Sequence, residues 1–156
     1  MGANASKVKS LIDLADTVVL RDVADGAEVA TATETAVPLH ELDTAYWHNN
    51  EIPHGVMEIM IHVTNTVSSE GDETYNLALL VDDVSAMNDS PVTVWSQDIA
   101  RGFTGVLYAY VDSQNIPKLD TDSSGTEKYM AVKATITGGD PPGITYGAYI
   151  TKSRRA

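Results

Sequence analysis

The sequence predicts an all-β protein: an antiparallel β-sandwich of about eight strands, connected as a jelly roll or Greek key, with a short N-terminal arm. Apolar and polar residues alternate with a period of two in most runs between residues 17 and 151. Clusters of Gly, Pro, Asp and Asn separate these runs at the short spacing typical of sandwiches and barrels. Eight strands in one flat sheet would leave long exposed edges, so two packed sheets are expected.

The N-terminal third is the least regular part. Residues 1–16 predict an arm or a short helix, because Ser6 is a suitable N-cap and apolar residues follow at helical spacing. Thr17 to Leu20 is the first clear strand, and Asp25-Gly26 predicts a hairpin turn after it. A weaker strand is expected over residues 28–35, and residues 37–47 are irregular.

The central strands are predicted most clearly. From Val56 to Thr64 every odd position from 57 to 63 is apolar, while Glu58, His62 and Thr64 stand at even positions, which indicates one buried face. Further strands are expected over residues 74–81, 92–99 and 104–111. Residues 112–127, rich in Asp, Ser and Gly, form the longest predicted loop.

The C-terminal run has two alternating segments, residues 129–137 and 144–151, around Gly138-Gly-Asp-Pro-Pro-Gly143. This pattern predicts an antiparallel hairpin with a short irregular turn. The sandwich domain is therefore expected to span residues 17–151, with residues 152–156 forming a basic tail.

Composition restricts the function classes. A chain of 156 residues is expected to form one domain, and the absence of cysteine excludes disulfides and thiolate metal sites. No apolar run is long enough to predict a transmembrane helix, and the N-terminus lacks the apolar stretch of a signal peptide.

Charge is distributed unevenly. Residues 1–9 and 152–156 carry five basic side chains and no acid, whereas the body between them carries five basic against 22 acidic residues, a net −17. An acidic body would repel phosphates, so we expect no nucleic-acid partner. The basic ends either contact an acidic neighbour or are solvated termini.

Motifs for chemistry are weak. Four histidines (His40, His48, His54 and His62) lie close in sequence, but none has the one-residue separation that a jelly-roll metal site of the cupin type needs, so no metal is expected. Asp120 to Glu127 is similar to the start of an EF-hand loop, but Ala131 stands where the bidentate glutamate belongs. No nucleophile elbow or phosphate-binding loop is present. We therefore predict no catalytic residues, no cofactor and no enzyme.

Aromatic and basic residues are the better candidates for function. Seven tyrosines and two tryptophans outnumber one phenylalanine, and tyrosine suits half-buried contact surfaces, although core packing is the alternative for each residue. Trp95 is out of phase with Val92 and Val94. The candidate contacts with a partner or a second copy are Lys7, Lys9, Leu11, Tyr46, Trp47, Trp95, Tyr108, Tyr110, Lys152, Arg154 and Arg155.

The strand order resembles the small jelly-roll capsid cement proteins, or decoration proteins, of tailed bacteriophages. The matching features are Leu11-Ile-Asp-Leu with residues 17–22, the strand ending Leu79-Leu-Val-Asp-Asp83, Ser90-Pro-Val-Thr-Val94, the strand at 105–110, and the C-terminal run at 129–150. They cover most of the chain and contain no catalytic signature.

The resemblance implies a structural protein without a cofactor. Such a protein would assemble in the bacterial host cytoplasm and bind the outer surface of the virion's head as a homodimer or homotrimer. There it would bridge neighbouring major capsid subunits, with no nucleic acid or membrane as partner. The alternative is a carbohydrate- or receptor-binding β-sandwich module, since that class also presents Trp and Tyr in its loops.

Overall fold

The computed structural model describes residues 18–38, 56–112, 129–138 and 142–154. The strands are β1 (Val18–Arg21), β2 (Ala27–Glu28), β3 (Ala32–Thr33), β4 (Val37–Pro38), β5 (Val56–Thr66), β6 (Thr74–Asp82), β7 (Val92–Ile99), β8 (Gly105–Asp112), β9 (Tyr129–Thr137) and β10 (Ile144–Arg154). One 3-10 turn, Val23–Asp25, follows β1. No helix in these ranges is long and apolar enough to cross a membrane.

The strands form two antiparallel sheets, which confirms the predicted all-β sandwich. Sheet A has the order β1-β10-β5-β8, with β2 also paired to β10, and sheet B has the order β3-β9-β6-β7, with β4 also paired to β9. The first half of the chain pairs with the second half in reverse order: β1 with β10, β3 and β4 with β9, β5 with β8, and β6 with β7. The chain therefore has the connectivity of one long antiparallel hairpin that is folded over into two sheets. This is the jelly-roll arrangement of two Greek keys.

Two predicted hairpins are wrong in their pairing, although their strands exist. β9 lies in sheet B and β10 in sheet A, so the C-terminal run crosses between sheets instead of folding back on itself. Asp25-Gly26 likewise does not join paired neighbours, because β1 and β2 both pair with β10, one after the other along its length. Gly26 has φ 86°, and the 3-10 turn keeps the chain on the same edge.

The core lies between the sheets and follows the predicted alternation. Ile59, Ile61 and Val63 of β5 are fully buried and belong to the same core cluster as Leu77 and Leu79 of β6. Completely buried residues of β9 and β10 complete this layer: Met130, Val132, Ala134, Ile144, Tyr146 and Ala148. Burial of this much apolar side chain provides the main driving force for the fold.

A second, smaller apolar cluster covers the outer face of sheet B. Ala78 and Leu80 of β6 point away from the main core, yet they are buried against Ala131 and against Met87 from the loop after β6. Asp82 closes this loop by accepting hydrogen bonds from the backbone N–H groups of Asp83 (2.8 Å) and Asp89 (3.0 Å). The chain thus covers part of this sheet's outer face with its own loop.

Candidate functional site: the outer face of sheet A

β8 exposes three large uncharged side chains on the outer face of sheet A. Ala109 and Val111 point into the core, whereas Val106, Tyr108 and Tyr110 are 45%, 52% and 57% exposed. Alternation along the strand explains the division, because successive side chains point to opposite faces. Two of the eleven predicted contact residues, Tyr108 and Tyr110, therefore lie together on an accessible face.

The neighbouring strand extends this surface. The register between β8 and β5 places Tyr108 opposite the half-buried Met60, and β10 then places Tyr149 on the other side of Met60. Directly opposite residues on antiparallel strands share a face and lie about 5 Å apart. We call Val106, Tyr108, Tyr110 and Met60 the tyrosine patch.

Polar residues border the tyrosine patch at its two ends. His62 is opposite Val106 and is exposed, and Glu58 is opposite Tyr110. On the far side of Glu58 the register places Lys152 of β10. The patch is therefore an apolar and aromatic centre with hydrogen-bonding groups around it, which is the usual composition of a protein contact surface.

The other predicted contact residues are distributed as follows. Trp95 packs half-buried against the main core, and Lys152 and Arg154 lie in β10, which continues to Arg154. Outside the described residues are Lys7, Lys9, Leu11, Tyr46, Trp47 and Arg155, together with the Asp120 to Glu127 loop and His40, His48 and His54.

A β-bulge explains why Trp95 is out of phase. Leu79 pairs with Trp95 and Leu80 pairs with Thr93, so Val94 is an additional residue in β7. The bulge shifts the alternation by one position, and both Val94 and Trp95 contact the core. Trp95 therefore packs against the core, and its predicted role as a contact residue stays a prediction.

Acidic and histidine side chains do not cluster as metal ligands in the described ranges. No group of three or more His, Cys, Asp or Glu side chains is placed there to hold a metal ion. His62, the one histidine among the described residues, stands on the outer face of β5.

Sequence reasoning missed a buried ionic cluster around Arg21, at the β1 edge of sheet A. The guanidinium donates from Nε to Glu34 (2.8 Å) and from Nη2 to Glu28 (3.0 Å). It also donates to the backbone carbonyls of Tyr146 (2.7 Å), Gly26 (3.0 Å) and Asp22 (3.2 Å). All five N–H groups therefore have an acceptor, and the cation lies 4.6 Å from the centre of the Tyr146 ring.

Electrostatics in this cluster follow from burial and pairing. Burial opposes the charge on Arg21, but its hydrogen bonds to Glu28 and Glu34 raise its pKa above the ordinary value. Burial raises the pKa of Glu34, and the nearby Glu28 carboxylate acts in the same direction while Arg21 opposes it. Burial also raises the pKa of the Tyr146 hydroxyl, which has no hydrogen-bond partner among the described residues.

The Arg21 cluster is structural in character. A guanidinium with five satisfied donors has none left for a ligand, so the cluster fixes β1, β2 and the segment at Glu34 around β10. The available sequence signal was an arginine directly after the apolar run Val18-Val-Leu20, in a body that carries only five basic residues. Its two carboxylate partners lie 7 and 13 residues later, and local patterns do not identify them.

The comparisons with known proteins add no family. No protein-family model matches the chain, and the searches of curated proteins and of solved structures found no match. What can be said of this molecule's class is that it is a jelly-roll β-sandwich with an exposed tyrosine patch on one sheet.

Proposed function

We propose that this protein is a capsid decoration protein of a tailed bacteriophage, which binds the outside of the head as a homo-oligomer and bridges neighbouring major capsid subunits. The observation that carries the proposal is the tyrosine patch. It is a regular, uncharged, aromatic surface on a protein whose net charge is −12. The jelly-roll topology and the resemblance of the strand order to cement proteins support the same proposal.

Charge supports binding to a protein surface. Each of Val106, Tyr108 and Tyr110 can be covered without desolvating an ionised group, which is the costly step in forming an interface. Tyrosine adds a large apolar ring with a polar tip, and such residues dominate the energetics of many interfaces. The acidic remainder of the surface would keep free copies soluble.

Attachment to the capsid would depend on the area that each interface buries and on the number of contacts that one oligomer makes. A specific protein interface typically buries about 1,600 Å² in total, and its affinity depends on a few central side chains. Repetition around a symmetric particle adds avidity, because each further contact of an attached oligomer is intramolecular. No chemical step is needed for this function.

The direct test is the copy number of the protein on purified virions from its source, measured by quantitative mass spectrometry against the major capsid protein. We expect a fixed, high ratio. A few copies per particle, or none, would contradict the proposal.

The contribution of the patch can be tested with matched variants. Val106→Glu places a charge in the tyrosine patch, and Val92→Glu places the same charge on sheet B at a valine of similar exposure, 42% against 45%. Added to particles that lack the protein, Val106→Glu should lose occupancy while Val92→Glu should match the wild type. Equal occupancy of the two variants would exclude the patch from the attachment surface or its assembly.

A second candidate function is carbohydrate binding. Tyr108 and Tyr110 are alternate residues of one strand, so their Cα atoms lie about 7 Å apart and their exposed side chains share one face, on which β5 contributes Glu58 and His62. Aromatic rings flanked by hydrogen-bonding groups form binding surfaces for sugars as well as for proteins. Saturable binding on a glycan array, lost in Tyr108→Ala and Tyr110→Ala, would favour this function over capsid binding.

A further inference from the structure

β8 differs from the other sheet edges in the described part of the chain. It pairs with β5 over eight consecutive positions without a register shift, and it contains no proline and no charge before Asp112. At the other edges, β1 has four residues and a register shift, β3 and β4 have two residues each, and β7 has the bulge at Val94.

An edge of this kind favours pairing with another strand. Natural sheets protect their edges by short strands, bulges, proline or charge, because unpaired backbone N–H and C=O groups otherwise bind a further strand. Within the described residues β5 is the strand that pairs with β8, and the opposite side of β8 has no strand beside it. The protection found at the other edges is absent from this one.

The charge of the protein favours a second copy of β8 as the strand that pairs with this edge. Two copies of an acidic protein repel each other over most of their surface, and β8 offers them an edge whose exposed side chains, Val106, Tyr108 and Tyr110, are all uncharged. Aromatic residues facing each other across strands stabilise the pair. A second copy of the same strand therefore fits this edge chemically.

Geometry restricts the register of such a pair. Antiparallel copies of β8 are related by a two-fold axis perpendicular to the sheet, so only residues on the same face can be opposite each other. Pairing centred on Tyr108 places Tyr108 opposite Tyr108 and Val106 opposite Tyr110, so every exposed side chain gains a partner. A shift of two residues in one direction would place Asp112 opposite Val106, and the same shift in the other direction would place Tyr110 opposite Thr104, beyond the end of the partner's β8.

We propose that the protein forms a two-fold symmetric dimer in which the β8 strands of two copies pair antiparallel, centred on Tyr108, and join the two A sheets into one continuous sheet. This inference specifies the homo-oligomer of the proposed function. It can nevertheless hold for a protein that never binds a capsid.

The first experiment measures the mass of the free full-length chain by sedimentation equilibrium from about 1 to about 100 µM, the range in which weak to moderate dimers dissociate. A dimer of twice the 16.7 kDa chain mass is expected. Tyr108→Glu and Tyr108→Lys should each weaken the dimer roughly tenfold or more, because like charges then face each other and an aromatic pair is lost. An equimolar mixture of the two variants should recover the dimer, since opposite charges now meet.

Controls separate this interface from others. Val92→Glu and Val92→Lys, with the same charges on β7, should dimerise as the wild type does, and circular dichroism should show all variants folded. Slowed amide hydrogen exchange in β8 of the wild-type dimer, lost in Tyr108→Glu, would place the contact on this strand. A wild type that stays monomeric up to about 100 µM would overturn the proposal, as would a Tyr108→Glu variant that dimerises unchanged.

A failure here is distinguishable from a failure of the proposed function. The mass measurement uses free protein, whereas the copy number uses particles. A dimer that is absent from virions would contradict capsid decoration and leave the β8 interface standing, and a virion-bound protein that is monomeric when free would do the reverse.

Discussion

The two edges of sheet A differ in strand length, in regularity and in the polar contacts of their side chains. At the β1 edge, a strand of four residues turns through the 3-10 segment Val23–Asp25, and Arg21 joins it to Glu28, Glu34 and the backbone of β10. At the β8 edge, eight residues run in unbroken register, with two tyrosines exposed.

The difference shows how one sheet can be closed on one side and open on the other. At the β1 edge all five N–H donors of Arg21 bond to acceptors within the chain, so this side chain contributes to stability and offers no donor to a partner. At the β8 edge only the inward-pointing side chains pack into the core, so the outward-pointing side chains are available for contacts with a partner. Substitutions at the two edges should therefore separate stability from association.

The largest effect is expected from Arg21→Leu. It removes all five hydrogen bonds and leaves Glu28 and Glu34 close together without their cation, at a cost of about 3 kcal/mol in the free energy of unfolding. Arg21→Lys should not restore stability, because an ammonium does not reproduce the planar fork. Urea denaturation measures both.

Arg101→Leu, a change of the same kind at an exposed site, is the control and should lie within about 0.5 kcal/mol of the wild type. An Arg21→Leu protein as stable as this control would show that the cluster is dispensable.

A smaller effect is expected from Gly147→Ala, also near the β1 edge. A Cβ at Gly147 would meet the hydroxyl and lie 2.7 Å from ring carbons of Tyr149, which accepts a hydrogen bond from the backbone N–H of Val23 (3.3 Å). Displacing this ring should cost about 2 kcal/mol. In a Tyr149→Ala background the Gly147→Ala substitution should lower the free energy of unfolding much less. An equal loss in both backgrounds would show that the cost does not come from contact with the Tyr149 ring.

The pH dependence of stability should differ in sign between two carboxylates. Burial raises the pKa of Glu34. The stabilisation that this shift gives to the folded state is fully present below the ordinary pKa of 4.5, and it is lost as the pH rises through the raised pKa. Glu34→Gln should therefore gain stability relative to the wild type as the pH increases. Denaturation midpoints at a series of pH values measure this.

Glu73 provides the opposite case. Hydrogen bonds from the backbone N–H groups of Glu70 (2.8 Å) and Gly71 (2.9 Å) lower the pKa of Glu73. The stabilisation that this shift gives to the folded state is therefore present above pH 4.5, and it is lost as the pH falls through the lowered pKa. Glu73→Gln should be most destabilising near neutral pH. Parallel pH profiles for Glu34→Gln and Glu73→Gln would contradict the assignment.

The smallest effect on stability is expected at the β8 edge. Val106→Glu changes an exposed residue and should alter the free energy of unfolding by no more than about 0.5 kcal/mol. If the β8 interface exists, the same variant should nevertheless weaken self-association. A large loss of monomer stability would mean that Val106 serves the fold and that the two edges are not separable.

Much of the fold was predictable because its signals are local. Alternation in β5 identified its buried face, and the predicted bounds of β7 and β9 agree with the structure. Both faces of β6 are buried, one in the main core and the other because Met87 returns from a loop to cover Leu80. Contacts of this kind have no periodic signature.

The sequence by itself determined where the long strands from β5 onward lie and which tyrosines of β8 share a face, because both follow from the two-residue repeat of an extended chain. The tertiary structure alone decided which strands pair, and hence that β9 and β10 belong to different sheets. It also brought Arg21 to Tyr146, 125 residues away, and packed the half-buried Trp95 against the core through a bulge. Those outcomes depend on long-range packing, and the folded-over hairpin brings together residues that no local pattern relates.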